Sequence, residues 1–249
     1  MVLMIEDTIE GVPAIHAAPV DRMSHPLPTI FFFHGYRSSK ELSSFFGYML
    51  ATAGFRVILP EAPMHGSRYD GDDAVRLGSF WDILKRSIDE LPLYRDHYEA
   101  KGLIADGRVG VGGTSMGGFA ALGCMARYDW IRAVASYMGS GYYLDLSRTL
   151  YPPLGAFNAD TEVLHARRMA PLATYDISHQ LERLADRPLF VWHGERDDTV
   201  PFAESTRLQA DLAARGSTAN LEFMGDPVEG HKVPMHAASA GVKFFSNYL

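Results

Sequence analysis

The chain has 249 residues, 47% of them apolar and 21% charged, the balance of a globular protein and not of a disordered one. Lys and Arg number 23 against 30 Asp and Glu, a formal charge of −7, which argues against a nucleic-acid groove or a surface for anionic lipid. The single cysteine, Cys124, excludes an internal disulfide, and no Cys or His spacing suggests a zinc site.

Met1 to Asp7 carries acids where a signal peptide carries bases, and an apolar run such as Leu27 to Phe33 falls far short of the ~20 residues that span a bilayer. These features predict a soluble, cytoplasmic protein that works without nucleic acid or membrane. The first twenty residues read as a hairpin turning at Glu10-Gly11. Pro28 to Phe33 is a continuous β-rich apolar run, the pattern of a strand covered on both faces. Ser39 to Ala53 reads as a helix ended by Gly54, and Phe55 to Leu59 as a strand stopped by Pro60. From Ser79 to about Lys101 apolar residues recur at helical spacing, with Pro92 as a kink or break.

Arg108 to Val111 is then a strand, Met116 to Tyr128 a helix and Ile131 to Tyr137 a strand. Pro188 to Trp192 and Asn220 to Met224 are the last strands, with helices from Ala203 to Arg215 and from Pro234 to the C-terminus. Alternating strands and helices imply a mostly parallel sheet of eight strands with helices on both faces, and one domain over 1–249 suffices. Ser140 to Asp186 breaks the rhythm. It is longer than a simple crossover needs and reads as a cap-like insertion, or as an inert packing element, with a short crossover helix at its end.

The strongest motif is Gly113-Thr114-Ser115-Met116-Gly117, set between a strand and a helix. Ser115 there must occupy a strained turn, and side chains at positions 113 and 117 would collide with it. The Met116 N–H, at the start of the next helix, points to where an oxyanion forms. A serine needs a base and an orienting acid, which in such sheets follow it in the order acid, then histidine. Among the downstream histidines, His165 and His179 lie in the insertion, His193 ends a strand and His236 falls inside the last helix. His231, in the loop after the last strand, is the candidate base.

The candidate acid is Asp197, in a tight loop closed by Val200-Pro201, with Asp198 as the neighbour that competes for the role. The second oxyanion donor is expected from Tyr36, in the turn His34-Gly35-Tyr36, where His34 ties the turn down. For substrate contacts the candidates are Tyr142 and Tyr143, just past a strand, and His65, in a loop at the same end of the sheet. His65 and Arg68 have the alternative role of holding that loop by hydrogen bonds.

Together the His34-Gly35 turn, the Ser115 elbow, Gly194-x-x-Asp197-x-x-Val200-Pro201 and Gly230-His231 resemble the α/β-hydrolase superfamily over nearly the whole chain. His34 to Glu41, Ala62 to Arg68 and Met138 to Tyr142 resemble the small bacterial YjfP-like esterases, within the dienelactone-hydrolase-like and prolyl-oligopeptidase-like group. The resemblance implies hydrolysis of short-chain carboxylic esters without a cofactor. It also implies a Ser115, Asp197 and His231 triad, with Tyr36 and Met116 as oxyanion hole. Dienelactone hydrolases use a cysteine where this chain has Ser115, and Cys124 reads as a small core side chain. A small peptidase or amidase, and a non-catalytic binding protein on the same fold, are the alternatives. No His-Glu-x-x-His spacing supports a metal-dependent hydrolase. The sequence leaves monomer and homodimer open.

Overall fold

The computed structural model describes residues 1–155 and 157–249. Strands β1 (Val2–Ile9) and β2 (Val12–Pro19) form the expected hairpin, with Glu10 and Gly11 both at positive φ in its turn. Strand β3 (Leu27–Phe33) is followed by helix α1 (Ser44–Thr52) and strand β4 (Arg56–Pro60). Helix α1 starts five residues later than its sequence pattern suggests, because Ser39 to Ser43 forms turns.

Helix α2 (Asp73–Gly78), capped by the Asp72 carboxylate, was not foreseen. The long amphipathic stretch is broken, as Pro92 predicts, into α3 (Phe80–Asp89) and α4 (Leu91–Ala100). Strand β5 (Ile104–Thr114), helix α5 (Met116–Arg127) and strand β6 (Ala133–Tyr137) carry the chain into the insertion. Within it lie α6 (Tyr143–Leu146), α7 (Glu162–Met169) and α8 (Glu182–Ala185). Strand β7 (Leu189–Gly194), helix α9 (Ala203–Ala214), strand β8 (Leu221–Asp226) and helix α10 (Met235–Tyr248) complete the chain.

The strands form one sheet in the order β1-β2-β4-β3-β5-β6-β7-β8. The hairpin pairs antiparallel at one edge, and every pairing from β4 to β8 is parallel. Successive residues serve opposite faces, as the pleat requires. Phe31 and Phe33 pack with α3, α4, α5 and α9, whereas Ile30 and Phe32 pack with α1 and α10. The same division runs through Val191 against Phe190 and Trp192 on β7. Helices therefore cover both faces.

The insertion invests most of its apolar residues in the first of these cores, through Tyr142, Tyr143, Leu146, Met169, Leu172, Ile177 and Leu184. Its turn around Leu150 and Tyr151 is what reaches the carboxyl ends of the strands near Ser115. No helix among the described residues is long and apolar enough to cross a membrane.

Candidate active site

Ser115 sits between β5 and α5 with φ 54° and ψ −120°, a left-handed backbone that a side chain adopts only when its surroundings impose it. Its N–H donates to the Tyr137 carbonyl at 2.8 Å, and its own carbonyl accepts from Phe119 at 2.9 Å. The glycines explain how the turn closes. A Cβ on Gly113 would stand 2.3 Å from the Gly117 backbone, and one on Gly117 would stand 2.1 Å from the Phe33 carbonyl oxygen. The elbow can therefore press against the end of β3 only with glycine at both positions.

His231 arrives from the loop between β8 and α10. Its Nε2 is 2.9 Å from Ser115 Oγ, and its Nδ1 is 2.7 Å from Asp197 Oδ2. Because Nδ1 faces a carboxylate it carries the proton, which leaves Nε2 bare to accept the serine hydroxyl. The loop is held from below by Asp226, whose carboxylate accepts the Val228 and Glu229 N–H groups and pairs with His236 at 2.8 Å. A second glycine brings the two loops together. A Cβ on Gly194 would lie 2.4 Å from the Glu229 carbonyl, so the end of β7 can pass directly beneath the His231 loop. Arg196 N–H then donates to that same Glu229 carbonyl.

The Asp197 side chain is fully buried. Its Oδ1 accepts the N–H groups of Thr199 and Val200 at 2.9 and 2.8 Å, and its Oδ2 faces His231 and, at 3.2 Å, His193 Nε2. Burial alone would raise this carboxyl, but the hydrogen bonds from His193, His231 and the two amides outweigh it and hold it well below the usual carboxylate range. Asp198 is exposed, and among the described residues its carboxylate meets only the Thr199 hydroxyl, at 3.2 Å. The geometry separates the two neighbours: Asp197 is buried against His231 and Asp198 faces solvent.

Tyr36 follows Gly35, which passes close enough to the elbow that a Cβ there would lie 3.5 Å from Ser115 Cβ. Two imidazoles staple this turn to the loop after β4. His34 Nε2 accepts the Ala62 N–H at 3.0 Å, and His65 Nε2 accepts the Arg37 N–H at 2.8 Å. Among the described residues neither the Tyr36 nor the Met116 N–H is spent on another backbone or side-chain acceptor, which leaves both for a bound oxygen.

The structure corrects the expectation for Tyr142, Tyr143 and His65. Tyr142 is buried with its hydroxyl on Asp211, and Tyr143 is buried with its hydroxyl on the Phe119 carbonyl at 2.6 Å. Helix α6 turns both rings into the core. His65 is fully buried and both ring nitrogens are used within the protein, Nδ1 toward the Pro63 carbonyl and Nε2 toward Arg37. Arg68 is occupied by a paired contact with Glu90. These side chains hold loops and do not touch the cavity.

The cavity at Ser115 has two sides. One is a narrow chamber of about 130 Å³ walled by Phe80, Phe119, Leu150, Tyr151 and Val200. The other is a wider groove of about 370 Å³ along Leu42, Phe45, Phe46, Met138 and Val233. Tyr36 borders both, its ring stacked among Phe80, Tyr151 and His65 at 5.1 to 5.5 Å between centroids. Of these walls the sequence singles out Tyr36, as an expected oxyanion donor, and Val200, as the residue that closes the Asp197 loop.

The family model described as the prolyl oligopeptidase family matches residues 47–248, a span that contains Ser115, Asp197 and His231. The chain belongs to the prolyl oligopeptidase family. Within the family's reach it is 43% identical over 241 residues to "Esterase YjfP" of Escherichia coli strain K12, with 97% of each chain covered. It is 36% identical over 255 residues to "Putative esterase YitV" of Bacillus subtilis strain 168, with 100% of each covered. Both alignments extend through the Tyr36 turn that the family model leaves out. Among solved structures, TT1662 from Thermus thermophilus superposes with a TM-score of 0.77 at 24% identity, covering 99% of this chain and 98% of that one. The fold is that of an α/β-hydrolase.

Proposed function

We propose that the protein is a serine esterase that cleaves short-chain carboxylic esters through an acyl-enzyme on Ser115. The observation that carries this reading is the unbroken line from Ser115 Oγ through His231 to Asp197, at 2.9 and 2.7 Å. In the scheme, Ser115 Oγ attacks the ester carbonyl carbon while its proton passes to His231 Nε2. The oxygen that gains charge is met by the Tyr36 and Met116 N–H groups. The tetrahedral species collapses, the C–O bond to the alcohol breaks, and the imidazolium returns its proton to the leaving oxygen. Water then attacks the acyl carbon with His231 again taking the proton, the bond from that carbon to Ser115 Oγ breaks as the imidazolium returns the proton to Oγ, and the acid leaves. Asp197 remains ionised throughout and holds the imidazole in its productive tautomer.

The names of the two curated relatives support the esterase reading, and the mostly apolar walls of the cavity, with Arg37 and Lys232 among the lining residues, suit a small ester. The narrow chamber suits a small acyl group, with the Leu150–Tyr151 turn of the insertion acting as its roof. The family's own description favours one second reading, a small peptidase or amidase, because the same triad cleaves both bonds. A panel of nitrophenyl esters of rising acyl length beside aminoacyl-proline amides tests the choice. Faster turnover of acetyl and butyryl esters supports the esterase, and faster turnover of the amides replaces it with the peptidase.

A further inference from the structure

His193 is fully buried, ends the central part of β7, and has no part in the proton transfers above. Its Nε2 faces two oxygens, the Val200 carbonyl at 3.0 Å and Asp197 Oδ2 at 3.2 Å. A carbonyl and a carboxylate can only accept, so Nε2 carries the proton and donates. The opposite nitrogen, Nδ1, lies 2.7 Å from the hydroxyl of Ser205, a buried residue in the first turn of α9. With Nε2 protonated, the neutral ring accepts the Ser205 O–H at Nδ1. Each group thus specifies the proton of the next.

Asp197 then receives four donors, the Thr199 and Val200 amides on Oδ1 and two imidazole N–H groups on Oδ2. Three of the four come from fixed parts of the fold: the two amides belong to the acid's own tight loop, and His193 is anchored in the sheet. Only His231 moves its charge during the reaction. A further charged group facing His193 is Glu204 on α9, which is tied to the Ser140 hydroxyl and whose carboxyl burial raises.

We propose that His193, its proton held on Nε2 by the Val200 carbonyl and Asp197 and its Nδ1 anchored by Ser205, is a positioning residue: it fixes Asp197 Oδ2 toward His231 and limits how strongly the carboxylate pulls on the His231 proton. The proposal rests on the triad reading above. Without the His193 donor, Oδ2 carries more of the unshared charge and favours the protonated form of His231, so the base is active only at higher pH.

The test uses the full-length protein and the pH profile of kcat/KM for a nitrophenyl acetate. His193→Leu keeps an apolar side chain of similar size and removes the donor. It is expected to lower kcat by about tenfold with KM little changed, and to move the acidic limb to higher pH. His193→Gln, which can present an N–H near the same place, is expected to restore most of kcat and to return the limb. Ser205→Ala, which leaves the ring in place and removes the hydroxyl that anchors its Nδ1, is expected to move the limb in the same direction by less, and it keeps the proposal open to refutation should His193→Leu fail to fold. A limb that stays in place in Ser205→Ala and in whichever His193 variants fold, or a Gln variant no better than the Leu variant, overturns the proposal. Labelling of Ser115 by a fluorophosphonate in the unmodified protein separates the two failures. Labelling with an unmoved limb defeats this inference alone, and no labelling defeats the esterase reading beneath it.

Discussion

The His65 imidazole accepts the Arg37 N–H at 2.8 Å, joining the loop after β4 to the turn that carries Tyr36. The bond crosses 28 residues of sequence and lies one peptide away from the proposed oxyanion donor. His65→Ala should therefore loosen the Tyr36 turn without touching the substrate. We expect kcat for short-chain esters to fall by about tenfold, within the range seen for partial loss of an oxyanion donor, with a smaller change in KM. A variant with wild-type kcat would contradict this role.

The same ring, together with His16, makes stability depend on pH. Burial foremost, and then the positive charge of Arg56 beside His16 and of Arg76 beside His65, hold each imidazole down at about 4. In the unfolded chain both return to about 6.5. Between those values the unfolded state binds more protons than the native state, so stability falls as pH drops from about 6.5 toward 4 and levels off below. Asp197, whose carboxyl is held low in the fold, contributes stability that is lost only as pH falls through and below the ordinary carboxylate range. Urea midpoints measured from pH 7.5 to 4 should decline across this window, and the decline should be shallower in His65→Asn. A flat profile would refute the assignment.

Asp197 and Asp198 offer a direct contrast. Asp197→Asn removes the carboxylate that fixes the His231 tautomer and should cost about 10³- to 10⁴-fold in kcat. Asp198→Asn, at an exposed carboxylate that meets the Thr199 hydroxyl, should stay within about twofold. Steady-state kinetics on the two purified variants check the ranking, and its reversal would move the acid by one position.

Gly117→Ala places a methyl group 2.1 Å from the Phe33 carbonyl. Backbone on both sides leaves little room to give, so the end of β3 and the elbow must part. The expected cost is at least about 2 kcal/mol, or a fall in Tm of roughly 4–8 °C for a chain of this size. Activity should fall further than stability, because the Ser115 turn itself is displaced. Thermal unfolding monitored by circular dichroism measures the first effect, and an unchanged Tm would contradict the contact.

Much of the fold was legible because both faces of the sheet are covered. A strand such as β3 must then be apolar at every position, and Ile30 through Phe33 advertise this without any alternation. The elbow was legible for a different reason: only glycine at 113 and 117 lets the turn close, so the requirement is written in residue type. The candidate acid and base could be singled out because loops at strand ends have few competing residues of the right chemistry. Contacts between separate loops were not legible. Nothing local to Tyr142 and Tyr143 tells whether α6 turns them toward Ser115 or into the core, and nothing local to His65 names Arg37 as its donor. Strand β5 runs beyond its apolar pattern at both ends, and Asp106 and Gly107, both at positive φ, interrupt that pattern while the strand continues on either side.

The central claim is that Ser115 is an activated nucleophile, and reaction of the intact protein with a fluorophosphonate, read by peptide mass mapping, tests it most directly. The account predicts one phosphonyl adduct, on Ser115, absent in Ser115→Ala and formed far more slowly in His231→Ala. An unmodified Ser115 in folded protein, or an adduct on another residue, would contradict it.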